Sequence, residues 1–136
     1  MNDTTTTTAP TVWPALRYDD ARAAIRFLVT AFGFEERLVV PGEGDRDIVH
    51  AELRWPLGGG IMLGSTSHTE GIHEQMRPGV GWVYVVTDGP DALLERAVAA
   101  GAEVTQGLRD EDYGSRGFSV RDPEGNHWSF GTYRGA

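Results

Sequence analysis

The chain contains no cysteine. That excludes a disulfide, a thiolate metal site and a cysteine nucleophile. It also fits a reducing compartment. No apolar run approaches the ~20 residues that a transmembrane helix needs. Basic residues are in the minority, with Lys+Arg at 12 against Asp+Glu at 20 and a formal net charge of −8. A nucleic-acid partner needs a basic surface for its phosphates, so the balance argues against one, and against an anionic membrane. No glycine-rich phosphate loop follows a strand, because "PLGGGIML" reads as a turn between strands. There is no G-x-S-x-G elbow, and Ser65, Ser119 and Ser129 have no identifiable His–Asp partnership. The opening "MNDTTTTTAP" has neither a basic start nor an apolar stretch, so it is not read as a secretory signal. Residues 1–10 are expected to form a disordered tail, residues 11–136 a single domain, and the location to be cytoplasmic.

What the 136 residues do hold is a pattern stated twice. Val12–Tyr18 is strand-like, with Pro14 confining it to an edge or an end. Asp19 or Asp20 can cap a helix. In "ARAAIRFLVTAF" the residues Ala24, Ile25, Leu28 and Phe32 fall at helical spacing, and Gly33 stops the helix. "FEERLVV", "DIVHAELRW" and "GGGIMLGS" then read as three strands. The second half repeats the order. "GWVYVVTD" is a strand. Asp88 or Asp91 can cap "PDALLERAVAA", Pro90 suits its first turn, and Gly101 ends it. "AEVTQGLRD", "GFSVRD" and "HWSFGTY" follow as strands, the last two joined by a "PEGN" turn. The spacing from Asp20 to Gly33 equals that from Asp88 to Gly101. The reading is two βαβββ modules, 11–65 and 81–134, with a polar linker at 66–80. A four-stranded unit with one helix covers one sheet face, so the other must meet its twin, another chain or a ligand.

Three stretches carry a resemblance. "LRYDDARAAIRFLVTAFGFEE" looks like the opening strand and helix of the bleomycin-resistance-like branch of the vicinal oxygen chelate superfamily. "VHAELRW…GGGIMLG" resembles that branch's third and fourth strands, and "FSVRDPEGNHWSF" its closing hairpin. The resemblance spans Val12 to about Tyr133. It implies an α+β fold in which tandem βαβββ modules form a curved mixed sheet around a central cleft, the glyoxalase/bleomycin-resistance fold. Dimers are common in this superfamily. Some members are metalloenzymes, and others bind a drug without chemistry.

In the enzymatic members, His or Glu side chains on the first and last strands of each half hold the metal. Carried over, the opening positions are Trp13 and Trp82, and the closing position of the second half is Ser129. For the first half the best match is Glu52. Indoles do not ligate a metal, and Ser129 is a poor ligand. No metal and no cofactor is therefore expected. A rebuilt site from His50, Glu52 and His127 is conceivable, because His50 and Glu52 alternate on one strand. His68 and His73 fall in the linker and match no ligand spacing.

By strand alternation Trp13, Ala15 and Arg17 share a face, and so do Trp82, Tyr84 and Val86. Trp128 has the opposite parity and is expected to pack under a helix, while Trp55 is left as core edge, dimer contact or cleft rim. Indoles offer flat surfaces to planar ligands and hold cations by their π-faces. The expected ligand-binding residues are Trp13, His50, Glu52, Trp82, Tyr84 and Ser129, with Tyr113 and Arg116 at the rim. The expected function is sequestration of an aromatic or cationic, antibiotic-like small molecule by a homodimer, without turnover. The alternative is a lyase, isomerase or dioxygenase with a rebuilt metal site.

Overall fold

A computed structural model of the chain describes residues 9–68 and 76–136. His73, most of the expected tail and part of the linker lie outside the described residues. The elements run β1 (Ala15–Tyr18), α1 (Ala21–Phe27), β2 (Glu35–Pro41), β3 (Ile48–Arg54), β4 (Gly60–Ser65), β5 (Trp82–Val86), α2 (Pro90–Ala99), β6 (Glu103–Asp110), β7 (Arg116–Arg121) and β8 (His127–Gly131). They form two four-stranded mixed sheets in the orders β1-β4-β3-β2 and β5-β8-β7-β6. In each, the first strand pairs in parallel with the last. The expected α+β class and the doubled βαβββ order are both present. No helix among the described residues is long and apolar enough to cross a membrane.

Local chemistry explains the boundaries. Pro14 keeps β1 short, although its carbonyl still accepts from the Met62 amide. Asp20, not Asp19, caps α1 by accepting from the Ala23 amide. The helix then widens into a π-helical turn over Leu28–Phe32, which Gly33 ends at φ 94°. Arg96 of α2 reaches across to donate to the carbonyls of Thr30 and Val29. The second helix departs from expectation. Gly89 occupies its cap position with no side-chain cap, Asp91 sits in its first turn and Asp88 pairs with Arg134 instead. Pro90 at the first turn supplies the preset φ.

Alternation decides what is buried. Ala51 and Leu53 of β3, Ile61 and Leu63 of β4, Phe118 and Val120 of β7, and Trp128 and Phe130 of β8 all point to one core. The helical turn from the first half brings Phe32 against Trp128 and Phe130 of the second, at centroid distances of 5.3 and 4.7 Å. Each such side chain contributes about 1.5–3 kcal/mol on full burial. Trp128 is fully buried under this helical turn, as its parity predicts. Trp55 resolves as core edge: it packs on Phe34 and donates to the Val86 carbonyl across the halves. The two halves thus share a core through their helix-side faces.

Gly117 sits where β7 crosses β8. A Cβ there would run into the Phe130 carbonyl and lie 3.0 Å from the Gly131 Cα, both backbone. Gly117→Ala is expected to cost about 1–3 kcal/mol, read as a lower midpoint in urea unfolding.

Candidate functional site

The opposite parity of each sheet is left open. On the second sheet, Trp82 and Tyr84 of β5 stand beside His127 and Ser129 of β8, and Ser129 faces Ser119 of β7. The Trp82 indole donates to Ser129 Oγ at 2.9 Å, and Ser129 shares a 2.8 Å bond with Ser119 Oγ. Trp82 is still 74% exposed. Its ring is therefore oriented by the sheet but uncovered. Tyr84 donates to the Tyr133 carbonyl at 2.7 Å. Burial of its hydroxyl pushes the phenol above its usual range, so it stays a neutral donor at neutral pH. Gly131 makes room for that hydroxyl, since a Cβ would meet it at 2.8 Å. An open cavity of about 260 Å³ runs along this face, with Trp82, Tyr84, Ser119, Ser129, Glu111 and Tyr113 in its lining. Tyr113 meets Tyr133 edge-on at its rim.

On the first sheet, His50 and Glu52 of β3 share the open face and bond at 2.9 Å. The Trp13 indole crosses Gly60 of β4, where a Cβ would meet its ring at 2.8 Å. Arg54 lies over that indole, 5.7 Å from the ring centroid.

The ladders test the register. Ala15 pairs with Met62 as Tyr84 pairs with Ser129. Two residues earlier on each opening strand stand Trp13 and Trp82, so the two tryptophans occupy matching places. Glu52 does not match Ser129. It lies on β3 opposite Met62, as Ser119 lies on β7 opposite Ser129. The closing position of the first half is Met62. The glycine-rich turn before β4 hid this register in the sequence.

Trp13, His50 and Glu52 are gathered on one face, and Trp82, Tyr84, Ser129 and Tyr113 on another. No hydrogen bond or ring contact among the described residues joins the two groups. The cavities against Trp82 are lined by the second half alone. Arg116 is brought to neither. Its parity is opposite to Ser119, and its guanidinium is held by Asp91 at 2.9 Å and Asp110 at 3.2 Å. Sequence reasoning passed over Ser119, Met62 and Arg54, although alternation from Ser129 and Glu52 points to them.

The sequence profile of the Glyoxalase/Bleomycin resistance protein/Dioxygenase superfamily matches residues 11–130. The chain belongs to that superfamily. Uncharacterized proteins of Mycobacterium bovis and Mycobacterium tuberculosis are 37% identical over 127 residues, covering 90% of this chain and 82% and 74% of theirs. Among solved structures, TioX from Micromonospora sp. ML1 matches with a TM-score of 0.72 and 34% identity, over 86% of this chain and 93% of that one. A virulence protein of Salmonella typhimurium matches in fold at a TM-score of 0.67 and 20% identity, over 94% and 99% of the two chains.

Carried over by the resemblance and the ladder register, the metal positions of the superfamily's enzymes fall on Trp13, Met62, Trp82 and Ser129: two indoles, a thioether and a hydroxyl. That donor set does not fit a divalent ion, which wants imidazole and carboxylate. The conceivable replacement is not assembled either. His127 lies on the other sheet from His50 and Glu52, accepting from Arg121 at 3.2 Å. Among the described residues no group of three His, Cys, Asp or Glu is placed to hold a metal.

Proposed function

We propose that this protein binds a planar aromatic small molecule without a metal, and acts by sequestering it. The observation that carries the reading is the matched pair of indoles at Trp13 and Trp82, standing where the superfamily's enzymes place metal ligands. One of them is fixed in orientation by Ser129 yet left uncovered. An exposed, preset indole is a stacking surface whose ordering cost has been met before the ligand arrives. The helix-side faces of the two sheets share one core, and the cavities against Trp82 take no residue from the first half. A cleft with a tryptophan on each wall therefore forms when the first sheet of one copy meets the second sheet of another. A two-fold homodimer makes two such clefts, because the pairing is reciprocal.

Titration of chelator-treated protein with 2-naphthamide, followed by tryptophan fluorescence, tests the reading. Quenching is expected in the absence of metal. Trp82→Ala is expected to weaken binding about tenfold or more, since a stacked aromatic contributes on the order of 1 kcal/mol or more. Binding that vanishes on chelation and returns with one equivalent of metal would overturn it.

A further inference from the structure

The open face of the first sheet carries a charge that the chain leaves unanswered. Acids outnumber bases 20 to 12, so carboxylate partners are plentiful. The other half-buried arginines have found acceptors: Arg22 donates to the Asp45 carbonyl and Arg116 to Asp91 and Asp110. Arg17 and Arg54 have not. Both are half buried, and among the described residues neither has an acidic partner. Arg17 lies flat over Gly64, where any Cβ would collide with its Nη1. Arg54 rests on Trp13, although Glu35 stands opposite it in the β2–β3 ladder. Between the two cations lie Ala15 and Met62, neighbours in the β1–β4 ladder, as an apolar floor.

Glu35 is exposed and makes no ion pair with Arg54, and two other acids near these faces are engaged. Glu52 is bonded to His50, and both Glu111 oxygens accept from Arg109. Glu52, the expected complement to a cationic ligand, thus has one of its two oxygens bonded within the chain. Each unanswered guanidinium is a planar fork of donors that matches a carboxylate.

We infer that the ligand is an aromatic acid, whose ring lies on Met62 and the indoles and whose carboxylate or acidic phenol is received by Arg17, with Arg54 at the far end of that floor adding a second positive charge. This rests on the binding function proposed above and specifies its ligand class. Gly64 has a defined part in it: the missing side chain lets the Arg17 guanidinium lie against the sheet and face the ligand with its donors.

Three probes of one shape separate the cases: 2-naphthoate, 2-naphthamide and 2-naphthylmethylammonium, titrated at neutral pH against tryptophan fluorescence. Naphthoate is expected to bind about tenfold more tightly than the amide, the scale of a charge-assisted bond, and the ammonium more weakly than either. Arg17→Gln and Arg54→Gln are each expected to shrink the naphthoate-over-amide preference, Arg17→Gln the more. Equal affinities for all three probes, still lost in Trp82→Ala, would overturn the acid and keep the aromatic site. Absence of quenching by every probe would overturn both. An Arg17→Gln protein with unchanged probe preference but a weakened dimer in sedimentation would assign that arginine to the contact between copies and refute the inference.

Discussion

Asp122→Ala is expected to lower stability by about 4–6 kcal/mol, enough to leave little folded protein at 37 °C. Asp122 is 4% exposed and its carboxylate serves four donors. Oδ2 accepts from the Tyr18 hydroxyl at 2.6 Å and from Trp128 Nε1 at 3.0 Å. Oδ1 accepts from the Glu124 and Asn126 amides at 3.0 and 3.1 Å. Tyr18 belongs to the first half and the others to the second, so this one carboxylate joins the halves. Burial first, and Asp122 second, push the Tyr18 phenol far above its usual range, so it remains a donor. Alanine would strand a buried hydroxyl and a buried indole N–H, each costing about 1–3 kcal/mol. The midpoint of thermal unfolding by circular dichroism is expected to fall by about 15 °C or more. Asp122→Asn should cost less, because it keeps one acceptor oxygen. Tyr18→Phe combined with Asp122→Ala should cost less than the sum of the two, because they remove one shared bond. An Asp122→Ala protein within about 1 kcal/mol of wild type would refute this role for the turn.

That joint marks where the sequence could and could not be read. "DPEGN" was legible as a turn, since Pro123 and Gly125 set its backbone, and Gly125 does take φ 92°. Its second task was not legible. Glu124 accepts from the Asp19 and Asp20 amides, and Asn126 Oδ1 from the Gly79 and Gly81 amides, all distant in sequence. Side chains that answer remote backbone leave no local pattern. The strands and the core were legible because alternation has a local period, and Trp128 fell inside as its parity required. The match of Trp13 with Trp82 came instead from carrying the resembled family's opening positions over to each half. Glu52 was misplaced because Gly58 and Gly59, both at positive φ, add a turn whose length the pattern does not encode. Asp88 and Asp91 suited a cap by type, but type does not say that Asp88 is drawn to Arg134 and Asp91 to Arg116.

The faces also differ in character, which bears on how the cleft closes. The first sheet offers cations and a thioether around Trp13. The second offers hydroxyls around Trp82, with Ser119, Ser129 and the neutral Tyr84 phenol. A planar acid between them would find charge on one wall and neutral stacking and hydrogen bonds on the other. Neither wall alone encloses a ligand, because the cavity against Trp82 is open to solvent. In the proposed homodimer affinity and assembly would be linked, because a ligand held by both walls would stabilise the dimer by mass action.

Mixing two defective chains is expected to restore binding that neither shows alone. Trp13→Ala removes an indole from the first sheet, and Trp82→Ala removes one from the second. Each homodimer then carries one damaged wall in both clefts. If clefts form between copies, a mixed dimer concentrates both lesions in one cleft and leaves the other intact. Random exchange of equal amounts makes half of the dimers mixed, so about a quarter of all clefts regain wild-type walls. If each cleft formed within one chain, every cleft would keep one lesion whatever the mixture. The measurement is quenching by 2-naphthoate at a concentration near the wild-type Kd, where a tenfold weaker variant is about one-tenth occupied. A signal that rises after mixing and brief dilution to exchange subunits, by about a quarter of the gap between variant and wild type, is the expected outcome. A flat signal, with subunit exchange verified by mass spectrometry, would mean that one chain closes its own cleft.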